Sequence, residues 1–158
     1  MSVPPLHDLF VIVVHLGLIA VGAWLAVVDA RTHRLPNRIV LPLGAVLLAL
    51  IGIEALVTAE PWTLGRSLAG MMILGGFYAL LNLAGGGVGG GDVKLAAVIG
   101  LVLAWHGWPA LAIGTAAAFL LGAGYALILM GLRRAQRTTR IAFGPWMIVG
   151  SVLGIVLG

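Results

Sequence analysis

The sequence predicts an all-α fold: a polytopic membrane bundle of six transmembrane helices, in a single domain that covers residues 1–158. Of its residues, 61% are apolar and only 9% are charged, which is too few charges to cover the surface of a soluble domain. Six apolar stretches approach the roughly 20 residues that a spanning helix needs. The lipid bilayer is therefore the expected solvent for most of this chain.

Segments rich in turn-forming residues separate the six apolar stretches. We expect helices at residues 9–28, 39–57, 64–84, 93–105, 110–132 and 143–158. Residues 1–8 hold no Lys or Arg, whereas a cleavable secretory signal begins with positive charge. The first apolar stretch is therefore expected to be a retained helix.

The basic residues predict how the bundle is oriented. Because successive helices alternate in direction, the first, third and fifth connections lie on the same side of the membrane. That side holds eight of the nine basic residues, namely Arg31, Arg34, Arg38, Lys94, Arg133, Arg134, Arg137 and Arg140. The positive-inside rule places it in the cytoplasm and both termini outside. Contacts with lipid headgroups explain these charges better than a nucleic-acid surface, so no nucleic-acid partner is expected.

Two acidic residues lie where an ionisable group is costly. Asp29 closes the first predicted helix and Asp92 opens the fourth, both at the cytoplasmic face. A charged group at membrane depth costs a few kcal/mol on insertion scales and calls for a function. The glycine-rich run at 85–91 is expected to be non-helical backbone that lines a wet cavity. Each acid alone could be a helix cap or half of an ion pair, but together they indicate a functional site.

Helix dipoles predict different roles for these two acids. Asp92 opens a helix, where the dipole favours negative charge, whereas Asp29 lies near a helix C-terminus, where it disfavours it. If the pair shares one proton, we expect Asp92 to be the ionised base and Asp29 to be the acid. The dipole contribution is only about 0.3–1 kcal/mol.

Three motifs resemble those of the type IV prepilin peptidases. Asp29 is followed seven residues later by Pro36 and then by Asn37, which resembles the first signature of that family. Residues 89–95 read GGGDVKL and resemble the Gly-x-Gly-Asp motif of this class of intramembrane aspartyl protease. Residues 141–146 resemble a third stretch near the C-terminus of the family. The similarity extends over nearly the whole chain, in the same order.

The resemblance implies an aspartic endopeptidase of the inner membrane whose catalytic pair, Asp29 and Asp92, faces the cytoplasm. It implies no cofactor and no metal. The residues that would shape the site or bind substrate are Pro36, Asn37, Gly89, Gly91 and Lys94, with Asn37 also expected to cap the second helix. The implied partners are lipids and pilin-like precursors that carry a short basic leader and an apolar helix, cut just before that helix, usually after a Gly.

One difference from the longer members of the family limits the resemblance to its shorter form. Longer bacterial members of the family carry an additional cysteine-rich, zinc-binding segment and also methylate the new N-terminus. This sequence has no cysteine and starts eight residues before the first predicted helix. It resembles the short, peptidase-only form associated with tight-adherence (Flp-type) pili, so no methyl transfer is expected.

The residues alone leave other functions open. Asp29 and His33 would share a helix face and, with Asp92, could hold a divalent ion in a metal-dependent membrane peptidase. Paired acids beside glycine-broken helices also occur in proton or cation carriers. A purely structural membrane protein would leave both acids and the glycine run unexplained. His15 lies roughly 21 Å along the helix axis from Asp29, so an interhelical hydrogen bond is expected for it rather than a role in the site.

Overall fold

The computed structural model describes residues 17, 19–29, 31, 36–85, 88–133 and 142–158. Within these ranges the chain is all-helical and contains no strand, which confirms the predicted fold class. Six helices lie within the described residues: α1 (Ile19–Asp29, its described part), α2 (Asn37–Val57), α3 (Pro61–Leu83), α4 (Gly90–His106), α5 (Trp108–Gly131) and α6 (Gly144–Leu157). Residues 9–16, the first part of the first predicted helix, lie outside the described residues.

Three of these helices, α2, α3 and α5, are long and apolar enough to cross a membrane. The described part of α1 and the shorter α6 are also apolar. Large apolar side chains cover much of the outer surface, and Leu56 and Leu83 are each 82% exposed. An apolar exterior of this kind is suited to lipid rather than to water. Six spans and external termini remain predictions.

The fourth helix forms the centre of the bundle. α4 contacts α2, α3, α5 and α6, and most of its side chains between Leu95 and Trp105 are buried. Its 17 residues rise about 25 Å, against a hydrocarbon core of about 30 Å. Because protein surrounds α4, it does not have to match the full thickness of the bilayer.

The start of α4 differs from the expectation. The helix begins at Gly90 rather than at residue 93, so the glycine run is not wholly non-helical. The carboxyl of Asp92 accepts the backbone N–H of Gly89 and so satisfies a donor in the first turn, as in half of a capping box. Gly85, with a φ of 73°, adopts the left-handed conformation that commonly ends a helix.

Glycines allow the helices of two pairs to pack closely. A Cβ atom on Gly70 of α3 would lie 2.5 Å from the carbonyl oxygen of Gly100 in α4. A Cβ atom on Gly150 of α6 would lie 2.6 Å from the carbonyl oxygen of Gly114 in α5. Small residues at contacts of this kind are typical of helices that associate within membranes.

Arg66 of α3 caps the C-terminal end of α4. Its Nε donates to the carbonyl oxygen of Ala104 at 2.6 Å, and its Nη2 donates to that of Trp105 at 2.5 Å. The last carbonyls of a helix have no partner within it, and the helix dipole favours a cation there. The sequence identified Arg66 only as the basic residue on the outer side of the membrane.

Candidate active site

The first predicted acid, Asp29, is the last residue of the described part of α1 and is only 4% exposed. Its Oδ2 accepts a hydrogen bond of 3.0 Å from the backbone N–H of Gly144, 115 positions away in the chain. Gly144 is the first residue of α6, and Phe143 at the N-cap position provides no side-chain cap. The carboxyl of Asp29 therefore satisfies a donor at the N-terminus of another helix.

The second predicted acid, Asp92, is the third residue of α4 and is half-buried. Its Oδ2 accepts the N–H of Gly89 at 2.9 Å. Burial raises the pKa of Asp92, the hydrogen bond from Gly89 opposes that rise, and the negative charge of Asp29 adds to it. The charges of the two carboxyls therefore interact, although 63 positions separate them in the sequence.

An aromatic cluster of Tyr78, Phe119 and Phe143 lies beside the two acids. The ring of Phe143 is centred 6.1 Å from that of Tyr78 and 5.3 Å from that of Phe119. Gly122 makes room for Phe143, because a Cβ atom there would lie 2.6 Å from the Phe143 ring. Tyr78 is buried and interacts electrostatically with Asp92. Since Gly144 follows Phe143, the cluster fixes the backbone that donates to Asp29.

Sequence reasoning did not identify this cluster as part of the site. Its members come from α3, from α5 and from the residue before α6, and isolated aromatics in apolar helices are ordinary core residues. The stretch at 141–146 was noted for its resemblance to the family, but its contact with Asp29 was not foreseen.

The site-shaping residues of the first motif lie at the start of α2. Pro36 occupies the N-cap position, and its carbonyl oxygen accepts the N–H groups of Ile39 and Val40 at 3.0 and 3.2 Å. The helix begins at Asn37, and a cap formed by the Asn37 side chain stays a prediction. Proline suits the boundary because its fixed φ matches the start of a helix.

The second motif forms the N-terminus of α4. Gly89 is extended at the N-cap position, with φ −82° and ψ 157°, and Gly91 is the second helical residue. Lys94 is half-buried and faces a cavity of about 250 Å³ between α2, α3 and α4. Apart from Lys94 the residues that line this cavity are apolar or glycine: Val40, Leu41, Gly44, Ala45, Leu48, Met71, Ala97, Val98 and Leu101.

The metal alternative stays a prediction. No group of three or more His, Cys, Asp or Glu residues within the described ranges could hold a metal ion. That alternative depends on His33, which lies outside the described residues. The same applies to His15.

Comparison with known proteins identifies similar sequences. The type IV leader peptidase family matches residues 16–127. Among the similar curated proteins, the prepilin leader peptidase/N-methyltransferase of Dickeya chrysanthemi is 36% identical, over 84% of this chain and 46% of that protein. The protein with the same description from Escherichia coli K12 is 38% identical, over 83% and 57%. That from Pseudomonas aeruginosa is 32% identical, over 90% and 47%.

The present chain spans about half the length of these relatives. No solved structure matches it.

Proposed function

Because this chain belongs to the type IV leader peptidase family, we propose that it is an aspartic endopeptidase that removes the leader from type IV pilin-like precursors. Asp29 and Asp92 are the catalytic pair in this proposal. One observation carries the assignment: α1 at Asp29 and the first turn of α4 at Asp92 hold two carboxyls whose charges interact. Perturbed carboxyls of this kind are concentrated at catalytic sites.

The chemistry follows from the repulsion between the two carboxyls. Two acids that cannot both ionise easily share a single proton. The ionised carboxylate then takes a proton from the attacking water, and the protonated carboxyl donates toward the oxygen of the scissile carbonyl. General acid–base assistance of this kind contributes about 10²–10⁴-fold to the rate.

The site-shaping roles are proposed for residues at the ends of helices. Pro36 precedes α2 and Gly89 precedes α4, so each fixes where a helix begins, and Gly89 also donates to Asp92. Gly91, directly before Asp92 in the first turn of α4, has no side chain. For Lys94 we propose contact with a lipid headgroup or with substrate, since its helix position is two residues after Asp92.

The substrate in this proposal is a precursor with a short basic leader followed by an apolar helix. Cleavage takes place at the cytoplasmic face of the inner membrane. This orientation is supported by the eight basic residues that the sequence places on that side under the positive-inside rule. Precursors of Flp-type pili are the expected class, and cleavage without methyl transfer is the expected outcome.

Co-expression with a candidate precursor tests the proposal. Cleavage is read as a mobility shift of the precursor in isolated membranes. Asp29→Asn and Asp92→Asn should each abolish the shift, whereas Glu60→Gln, which changes an exposed acid before α3, should leave it intact. Processing by both Asp variants at the wild-type rate would reject the catalytic pair.

Two additions to the assay separate the related possibilities. Full cleavage in excess chelator would exclude the metal-dependent alternative, and its loss would favour that alternative. Mass spectrometry of the cleaved product tests for methyl transfer, because an added methyl group changes the mass of the new N-terminal residue.

A further inference from the structure

We propose that Gly144 is a positioning residue of this site, whose backbone N–H holds Asp29 as the ionised carboxylate that activates water and so leaves Asp92 as the proton donor. This inference rests on the proposed function. It reverses the roles expected from the dipoles of α1 and α4 alone, because a third helix end, that of α6, also meets the pair.

The N-terminus of α6 is built so that Asp29 receives its first donor. Phe143 offers no side-chain cap, and Pro145 has no N–H of its own. The N–H of Gly144 is donated to Asp29 across a buried contact of 3.0 Å. A hydrogen bond to a charged acceptor is stronger than one to a neutral acceptor. The positive end of the α6 dipole acts in the same direction, since it favours a negative group at the helix N-terminus.

Glycine is required at this position for the contact to form. A Cβ atom on residue 144 would lie 2.5 Å from Oδ2 and 3.1 Å from Cγ of Asp29. The backbone of α6 has little room to yield, because Phe143 is held in the aromatic cluster against Gly122. A methyl group at residue 144 would therefore displace the carboxylate of Asp29.

Asp92 has weaker support for its charged form. Its hydrogen bond from Gly89 lies within the first turn of its own helix. Burial disfavours charge on both acids and their repulsion is mutual, so their donors set the difference between them. The hydrogen bond to Asp92 is exposed, whereas the one to Asp29 is buried, where a hydrogen bond is electrostatically stronger. In this proposal the shared proton is therefore on Asp92.

Other charged or titratable groups lie at the same end of the bundle as the pair. Within the described parts of the neighbouring elements, the groups at this end are Arg31, Arg38, Tyr78, Lys94, Tyr125 and Arg133. None of them is a carboxyl, and α6 contains no titratable side chain. Carboxyl titrations at the site can thus be assigned to Asp29 and Asp92.

Direct titration of the carboxyls tests the assignment. The chain holds only three aspartates, Asp8, Asp29 and Asp92, so carboxyl-labelled aspartate gives a small set of NMR signals from the full chain in lipid nanodiscs. In Asp92→Asn, the remaining carboxyl of Asp29 should titrate at lower pH than the carboxyl of Asp92 does in Asp29→Asn. The opposite order, or equal values, would overturn the inference.

A glycine substitution tests the role of Gly144 itself. Added to Asp92→Asn, Gly144→Ala should raise the titration of Asp29 by about 0.2–0.7 pH unit. Added to Asp29→Asn, it should leave Asp92 unchanged. Gly124→Ala is the matched control, because a Cβ atom on this α5 glycine would meet nothing within 4 Å. No shift at Asp29, or equal shifts at both acids, would refute the role of Gly144.

Cleavage kinetics add a readout that a purely structural role would not move. Gly144→Ala should lower kcat and move the acid limb of the pH–rate profile to higher pH. A uniform loss of rate with an unchanged profile would contradict the inference. If Gly144→Ala fails to fold, the comparison of the two Asp→Asn variants still decides the order.

The two proposals fail in distinguishable ways. If cleavage does not require Asp29 and Asp92, the proposed function is wrong whatever the titrations give. If cleavage requires both acids but Asp92 titrates below Asp29, only the inference about Gly144 is wrong.

Discussion

Replacement of Arg66 by Met should destabilise the fold by a magnitude that follows from two hydrogen bonds. The guanidinium donates to the carbonyls of Ala104 and Trp105 at the end of α4. A hydrogen bond from a charged group contributes about 1.5–3 kcal/mol. Because Arg66 is half-buried, the lower end of that range applies to each bond. The expected loss in the free energy of unfolding is therefore about 3 kcal/mol.

Unfolding of the full chain in mixed detergent micelles with increasing SDS, followed by circular dichroism, measures this loss. Arg66→Lys keeps the charge but not the planar fork that reaches two carbonyls, so it should lose about half as much. Arg38→Met, at an exposed arginine in the first turn of α2, is the matched control and should change stability little. Wild-type stability of Arg66→Met, or a loss equal to that of the control, would show that the cap does not stabilise α4.

Two other substitutions should change stability in opposite directions. The pKa of Asp92 is raised in the folded chain above its ordinary value of 3.8. The folded state is therefore destabilised as the pH rises from 3.8 through the raised pKa and Asp92 ionises. Asp92→Asn should therefore melt at a higher temperature than the wild type at neutral pH, and the difference should vanish in acid below the ordinary value; equal melting temperatures at neutral pH would contradict this. Gly70→Ala should destabilise the chain by about 1–3 kcal/mol because its Cβ would meet Gly100. Gly76 of α3 has open space around it, so Gly76→Ala should be neutral or stabilising in the same denaturation assay. Equal losses of stability in Gly70→Ala and Gly76→Ala would argue against close packing of α3 on α4.

The helices and the proximity of Asp29 to Asp92 could be predicted from the sequence. They follow from local chemistry and from the number of helices between the two acids. Apolar length predicts a helix, and alternation of helix direction places the end of the first helix and the start of the fourth on the same side. The start of α4 was misplaced for a specific reason. Glycine was treated as a helix breaker, but the carboxyl of Asp92 satisfies the N–H of Gly89 and supports a first turn that contains two glycines.

The contacts of Arg66 and Gly144 could not be anticipated in the same way. Both pair a residue with a group at a distant helix end, and at least one partner in each is a backbone atom. Every residue except proline has a backbone N–H and every residue has a carbonyl, so such pairs leave no mark in the pattern of side chains. The sequence Phe143-Gly144-Pro145 did carry one usable signal, since proline is favoured in the first turn of a helix. This signal marks the start of α6 but not its partner.

The difference between the two acids is therefore a property of tertiary packing rather than of either motif. Asp92 takes its hydrogen bond from within α4, so that bond is preserved wherever α4 is helical. Asp29 takes its bond from α6, so that bond exists only while α1 and α6 are packed together. The α1 dipole disfavours negative charge on Asp29. The α6 N-terminus favours that charge, through a buried N–H and through its own dipole. A sequence argument that considers each acid on its own helix includes the α1 dipole but not the α6 N-terminus. If Gly144 has the proposed role, such an argument assigns the proton to the wrong acid of the pair.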